Sequence, residues 1–419
     1  MMRIAVVAVG DELLLGDGVN SNLTWLAREL AQAGMQTVRG IEVGDNLAEL
    51  VPALRGALEV ADAVVVTGGL GPTSDDRTRE ALATLGGVEL RRDPELASTI
   101  GAWFAERGRP APQSVFGQAD VPEGARPLGN GLGTAPGIHI EIAGRPVYAV
   151  PGVPAEMRLM FGATVLPDLR SRAGSPRPLL TRQARVSGVG ESAVADRLAE
   201  VEADLPAQIA LAYLASPGEV RVRLTGIDPQ QLDAWLDRVA SVLGEDVSGF
   251  GDETLPATVL WLLVARSETV ATAESLTGGA VASALVDIPG ASAAFVGGVV
   301  AYATALKVQL LGVDAGLLET NGTVDPQVAL EMARGVRSRL GADWGISTTG
   351  VAGPLPEAAV EPGTAFIAVV GPSVERVVQV KQMGGRDLVR QVVRVRVLDL
   401  LRRSLLAAGS GRPDPEHTP

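Results

Sequence analysis

Short apolar runs separated by stretches of helical periodicity mark the first 170 residues. Residues 4–9 and 63–66 are runs of valine, alanine and isoleucine too short for helices, and they read as strands. Residues 22–33 repeat their apolar positions at helical spacing between them. Strands alternating with helices predict a parallel sheet covered by helices on both faces. Residues 138–142 and 146–150, joined by Ala143, Gly144 and Arg145, predict a hairpin appended to that sheet. His139 alternates with Ile138 and Ile140 and is expected to face solvent.

A stretch rich in Arg, Pro and Ser at 170–177 then acts as a linker. Beyond it, strands at 184–186, 209–213 and 220–224 and helices at 191–201 and 230–243 predict a small α+β module. Residues 244–252 read as the next break, and a third α/β unit follows from Thr254 to about Leu406. The expected organisation is therefore 1–170, 176–250 and 254–408, with a disordered tail at 409–419. No internal repeat or coiled coil is evident.

Composition narrows the chemistry. With 419 residues the chain is long enough for about three domains. No apolar run approaches the roughly 18–20 residues that span a bilayer. Residues 4–9 are too short for a signal-peptide core, and Asp11 and Glu12 follow at once, so a cytoplasmic protein without a membrane partner is expected. A net charge of −13 argues against nucleic acid as a partner. Cysteine is absent, which removes thiol nucleophiles, disulfides and thiolate metal sites. The two histidines, His139 and His417, leave little room for a histidine triad and none for a multi-histidine metal site. Catalysis must rest on Ser, Thr, Lys, Arg, carboxylates and backbone amides.

Those residue types gather in the last third. Thr272-Ala-Glu-Ser-Leu-Thr-Gly-Gly279 follows a strand-like segment at 268–271 and precedes a small-residue helix at 280–286. Ser275 thus sits at a helix N-terminus, where free amides and the dipole favour negative charge. On this segment alone two readings stay open: Ser275 or Thr277 caps the helix, or Ser275 is a nucleophile. A second strand at 296–302 delivers Lys307 one helical turn beyond Tyr302. Lys307 and Lys381 are the chain's two lysines. Lysine, unlike arginine, can lose its proton when desolvated and act as a base. A strand at 344–348 opens into Thr349-Gly-Val-Ala-Gly-Pro354, a loop able to offer amides to an oxyanion or phosphate. Gly384-Gly-Arg-Asp387 places Arg386 at the start of a helix at 388–406, where anions are favoured.

On these residues the chain resembles the CinA (competence/damage-inducible) family, whose C-terminal domain is a nicotinamide-mononucleotide deamidase. The resemblance rests on the 273–279 motif, Tyr302 with Lys307, the 349–354 loop and Gly385-Arg386, and it extends over all three segments. It implies that Ser275 attacks the carboxamide and that Lys307 activates it. Thr349, Tyr302 and Arg386 would complete the site, with Arg386 on the phosphate or intermediate. Glu274, Thr277, Gly278, Gly279, Gly350 and Gly353 would contact the substrate. No cofactor is implied there. The family motif has cysteine after the serine, whereas Leu276 stands here. A serine mechanism does not need that thiol.

Near the N-terminus the signal is Thr67-Gly-Gly-Leu-Gly-Pro-Thr-Ser-Asp-Asp76 after the strand at 63–66. Gly68, Gly69 and Gly71 make a phosphate-cradling loop, and Thr73 is expected to cap the helix beginning at Arg77. Asp75 and Asp76 taken singly read as first-turn helix charge. Together with Glu12, Asn20 and Asp45, near strand ends where open α/β sheets bind ligands, they form a candidate divalent-metal site. This segment resembles the molybdopterin-binding superfamily in its CinA branch, through the 68–76 loop, Asn130-Gly-Leu-Gly133 and Val150-Pro-Gly-Val-Pro154 with Glu156. That implies a metal-dependent ADP-ribose pyrophosphatase, with Asn20 and Asn130 beside the nucleotide. Relatives of the fold adenylylate molybdopterin instead, so fold alone does not settle the reaction. The middle module resembles the family's KH-like domain. Its 7 arginines against 11 acidic residues between Pro176 and Phe250 argue against RNA, and Gly188-Val-Gly190 is one residue short of the KH backbone clamp. The resemblance implies a homodimer, with nicotinamide mononucleotide and ADP-ribose as small-molecule partners. A non-catalytic competence or repair scaffold is the alternative.

Overall fold

The computed structural model describes residues 1–174, 177–357 and 359–409. The tail expected at 409–419, with His417, lies outside the described residues from Ser410 onward, as do Ser175 and Pro176 of the expected linker. The chain divides into two compact units, Met1–Leu180 and Thr181–Pro419.

The first unit is an α/β sandwich. Its strands are β1 (Arg3–Val9), β2 (Gln36–Val43), β3 (Ala63–Thr67), the short β4 (Leu90–Arg92) and β5 (Asp120–Pro122), β6 (Arg126–Leu128), β7 (Gly137–Ile142) and β8 (Arg145–Val150). The main sheet runs β2-β1-β3-β8-β7-β6. β1, β2, β3 and β8 are mutually parallel; β7 runs antiparallel to β8, and the edge strand β6 pairs antiparallel with β7. Side chains alternate across the central strands, so Ala5, Val7, Val64 and Val66 pack under the helices Leu47–Val60 and Thr78–Gly86. Ile4, Val6, Ala63 and Val65 pack on the other face, against Ser21–Gln32 and the helical stretch after Pro154. Burial on both faces is why these strands read as uninterrupted apolar runs.

Two expectations change here. The 137–150 hairpin is not an appendage: β8 is inserted beside β3 and carries the parallel part of the sheet inward. His139 does not face water. Its ring stacks on Tyr148 with centroids 4.8 Å apart, and burial pushes its pKa down.

The second unit begins with the α+β module. It comprises β9 (Leu180–Ser187), β10 (Ala210–Ser216), β11 (Glu219–Gly226) and β12 (Val247–Phe250) in the order β10-β11-β9-β12, with helices Glu191–Ala203 and Pro229–Leu243. The break expected at 244–252 contains β12, which pairs antiparallel with β9. Its Val-Ser-Gly-Phe sequence is too short and too polar to announce a strand, and the pairing partner supplies what the pattern lacks.

The rest of this unit holds β13 (Val270–Glu274), β14 (Phe295–Val300), β15 (Trp344–Gly350), β16 (Thr364–Val370) and β17 (Glu375–Lys381), ordered β14-β13-β15-β16-β17. The first three run parallel, β16 runs antiparallel to β15, and β17 pairs antiparallel with β16. Helices Leu255–Ala265, Ala280–Val286 and Arg386–Ala407 share one core with the sheet, and Thr304–Leu311 and Pro326–Leu340 cover its other face. Close approach needs glycine there: a Cβ on Gly335 would lie 1.8 Å from the Leu311 carbonyl oxygen. Among the described residues no helix is long and apolar enough to cross a membrane.

Candidate functional site

At the C-terminal end of β13 the chain turns sharply into the helix Ala280–Val286. Gly278 and Gly279 make the turn at φ +62° and +95°, a region costly for other residues. Neither Ser275 nor Thr277 caps this helix. The cap is Glu274, 1% exposed, whose carboxylate accepts N–H bonds from Gly279 at 2.9 Å, Val281 at 3.1 Å and Ala282 at 2.8 Å. Three amides that a helix start leaves unpaired are thereby satisfied by one negative charge placed on the positive end of the dipole. Thr277 is occupied too, its hydroxyl 2.7 Å from that of Thr348. The Ser275 hydroxyl is left free of any capping duty.

Lys307, within the helix Thr304–Leu311, reaches that hydroxyl. Its Nζ lies 3.2 Å from Ser275 Oγ, 2.8 Å from the Ala301 carbonyl oxygen and 3.4 Å from that of Tyr302. The residue is 1% exposed and no carboxylate bonds it. Burial therefore holds its pKa below the ordinary lysine value, opposed only by the charge of Glu357. The amine donates to both carbonyls and to the Ser275 hydroxyl.

Ser275 and Lys307 open into a cavity of about 300 Å³, at the lower end of nucleotide-sized pockets. Tyr302, Thr349, Gly350, Gly353 and Arg386 line it as well. Thr349 is buried and donates its hydroxyl to the Thr323 carbonyl at 2.6 Å. Arg386 opens the helix Arg386–Ala407 and stays exposed, with Nη2 3.0 Å from the Tyr302 hydroxyl and Nη1 3.3 Å from the Gly353 carbonyl. Glu274, Thr277, Gly278 and Gly279, expected to touch substrate, are not among the lining residues: they build the turn that presents Ser275. Sequence reasoning missed Thr323 and Glu357, which do line the cavity. Glu357 stands in a loop as one acidic residue among several, and nothing in the pattern ties it to Ser275.

A second cavity, about 410 Å³, lies at the C-terminal ends of β1, β3 and β8. Glu12, Asp45, Gly68, Gly69, Gly71, Asp75 and Asp76 line it as expected residues, and Glu156 and Gln118 join them. Gly68 is held at φ +105° with its Cβ position 2.2 Å from the Val9 carbonyl oxygen, so only glycine lets these strand ends meet. Asp76 staples the loop, accepting the Gly71 N–H at 2.7 Å and both the N–H and hydroxyl of Thr73, at 2.9 and 2.5 Å. Thr73 is thus drawn into the loop and does not cap; Arg77 stands at the N-cap of Thr78–Gly86 without a side-chain bond. Asn20 caps Ser21–Gln32 through the Leu23 N–H and does not line the cavity. Asn130 also stays outside the lining and positions Glu156, 2.6 Å from its Nδ2.

The carboxylates of this cavity are crowded. Burial pushes the Asp45 pKa up, reinforced by Asp11, Asp75 and Glu12 and opposed by a bond from the Asp11 N–H. Oxygen donors of this kind suit a hard divalent cation. Yet among the described residues no three such groups converge closely enough to hold one, and Asp76 is already engaged in its loop. No reaction step is routed through a metal here.

Comparison with known proteins gives the family. Residues 252–405 match the CinA C-terminal domain, residues 5–171 a probable molybdopterin binding domain, and residues 181–249 the KH domain of damage-inducible protein CinA. A CinA-like protein of Frankia casuarinae is 48% identical over 100% of this chain and 98% of its own length. One from Gloeobacter violaceus is 42% identical over 96% of each. The solved CinA structure from Thermoplasma acidophilum is 39% identical and covers 39% of this chain and 96% of its own, with a TM-score of 0.37. With full-length relatives at this identity and matches to all three domains, the chain belongs to the CinA family.

Proposed function

We propose that the C-terminal domain hydrolyses nicotinamide mononucleotide to nicotinate mononucleotide and ammonia, using Ser275 as nucleophile and Lys307 as base. The observation that carries this reading is the 3.2 Å contact between a buried lysine amine and an otherwise unoccupied serine hydroxyl at the wall of a cavity. Lys307 takes the Ser275 proton as Oγ bonds to the carboxamide carbon, giving a tetrahedral oxyanion. The backbone N–H groups of Leu276 and Ala352, both cavity-lining, meet no acceptor among the described residues and are available to that charge. Lys307 then hands its proton to the departing amine, and ammonia leaves a Ser275 ester. Water, deprotonated by Lys307, opens the ester and the proton returns to Ser275. Arg386, exposed and paired with uncharged groups, suits the 5′-phosphate.

Ser275→Ala and Lys307→Ala are each expected to abolish ammonia release while the circular dichroism spectrum stays unchanged. Turnover by Ser275→Ala at the wild-type rate rejects the assignment. A non-catalytic scaffold predicts no ammonia release from the unmodified protein, and it gives no reason to bury a lysine without a countercharge.

For the N-terminal cavity we propose ADP-ribose pyrophosphatase activity. A glycine loop for the diphosphate beside several carboxylates supports it. Incubation with ADP-ribose should release AMP and ribose 5-phosphate when divalent metal is added and not when it is withheld. Conversion of molybdopterin and ATP without ADP-ribose hydrolysis assigns the domain to nucleotidyl transfer instead.

A further inference from the structure

Three charged side chains line the C-terminal cavity: Lys307, Arg386 and Glu357. As the base, Lys307 is neutral, so one anion and one cation remain. They are anchored separately. Arg386 is held by the Tyr302 hydroxyl and the Gly353 carbonyl, whereas the Glu357 carboxylate accepts the hydroxyl of Thr323. Thr323 is in turn fixed to the end of β15, where its carbonyl accepts the Thr349 hydroxyl. The Glu357 backbone is locked by paired N–H···O bonds with Val360, at 3.2 and 2.9 Å. Its charge is therefore positioned by two independent sets of bonds, although no cation of the chain pairs with it among the described residues. The rest of the lining mixes polar groups such as Thr304, Thr323 and Thr349 with the apolar Leu276, Val324, Val351 and Leu355.

One fixed carboxylate and a separately anchored guanidinium in the same cavity suit a ligand that carries both a positive charge and an anion. We infer that Glu357 is the specificity-determining residue of this cavity, selecting substrates whose ring is a cationic N-ribosylpyridinium over neutral aromatic carboxamides of the same shape. This inference rests on the amidase reading and refines it. Arg386 and the carboxamide-directed pair of Ser275 and Lys307 would serve either ring equally. Glu357 is the anionic group in the lining that distinguishes them. Glu357 lines the same cavity as Ser275 and Lys307.

The test compares nicotinamide mononucleotide with its neutral C-glycosidic benzamide counterpart, which keeps the carboxamide, ribose and phosphate. Dissociation constants are measured on the full chain in a Ser275→Ala background, with and without Glu357→Gln, and ammonia release is assayed separately on the unmodified protein. Wild-type Glu357 should favour the cation, and Glu357→Gln should reduce that preference about tenfold, the order expected of one partly screened charge pair. Glu357→Lys should reverse the preference, Glu357→Asp should keep most of it, and raising salt to about 0.5 M should narrow it only when the carboxylate is present. An unchanged ratio of constants in Glu357→Gln, in a chain whose parent releases ammonia, overturns the inference and leaves the amidase reading intact. An effect of Glu357→Gln on kcat alone, with the ratio unaltered, overturns it as well. Absence of ammonia release from the parent is instead the failure of the amidase reading.

Discussion

The surroundings of Lys307 suit the role of base proposed for it. The amine is enclosed by the Ala301 and Tyr302 carbonyls and the Ser275 hydroxyl, and removal from water penalises its charged form. Its pKa in the folded chain is below its unfolded value of 10.5, so between those two values the unfolded chain holds the extra proton. Stability should accordingly rise with pH across that window, and the contribution is lost as pH falls through the folded pKa. Activity moves the same way. The kcat/KM for ammonia release should climb with pH along a single-proton limb lying below the normal lysine range, and a flat profile there would exclude a lysine base. Lys307→Arg should cost at least about 10²-fold in kcat at every pH, since guanidinium keeps its proton. At this scale the sequence was partly legible. Scarcity of lysine marked Lys307, and its motif marked Ser275, but Glu274 was misread as a substrate contact. Its real partners are backbone amides five to eight residues onward, and amides leave no trace in a side-chain pattern.

Among elements, the turn from β13 into Ala280–Val286 decides the chemistry. Seven residues make a helix too short to be stable by itself, and Glu274 pins its start to the end of the strand. Glu274→Ala should leave three amides unpaired in a buried site and lower unfolding free energy by roughly 3 kcal/mol. Urea denaturation checks this, and ammonia release should fall with it because Ser275 follows directly in the chain. An unaltered midpoint would mean that the turn holds without its cap. Central strands such as β1 and β3 were readable as apolar runs because both faces are buried. β12 was not, because four residues with one serine and one glycine become a strand only through β9.

Across the second unit, the helix Arg386–Ala407 joins site and scaffold. Its first residue lines the cavity of Ser275 and Lys307, while Arg402, 2% exposed, bonds Asp399 and the Val247 and Glu245 carbonyls of the α+β module. Arg403 bridges Asp399 and Asp246. Asp399→Ala leaves the buried Arg402 with carbonyl partners but no carboxylate and Arg403 with Asp246 alone, and should destabilise this unit by about 3 kcal/mol. Thermal unfolding of the full chain measures it, and a loss under about 1 kcal/mol would show the network to be dispensable. The amino-acid order by itself determined the alternation of strands and helices, the absence of thiol chemistry, and the choice of Ser275, Lys307 and Arg386 as candidates, because these follow from local periodicity, residue counts and motif spacing. Tertiary structure alone decided that Ser275 is free, that Lys307 is desolvated, that Glu357 enters the same cavity, and that Thr73 and Asn20 stand outside theirs. Those outcomes depend on which distant backbone groups fold against each side chain, and a linear pattern does not encode that proximity.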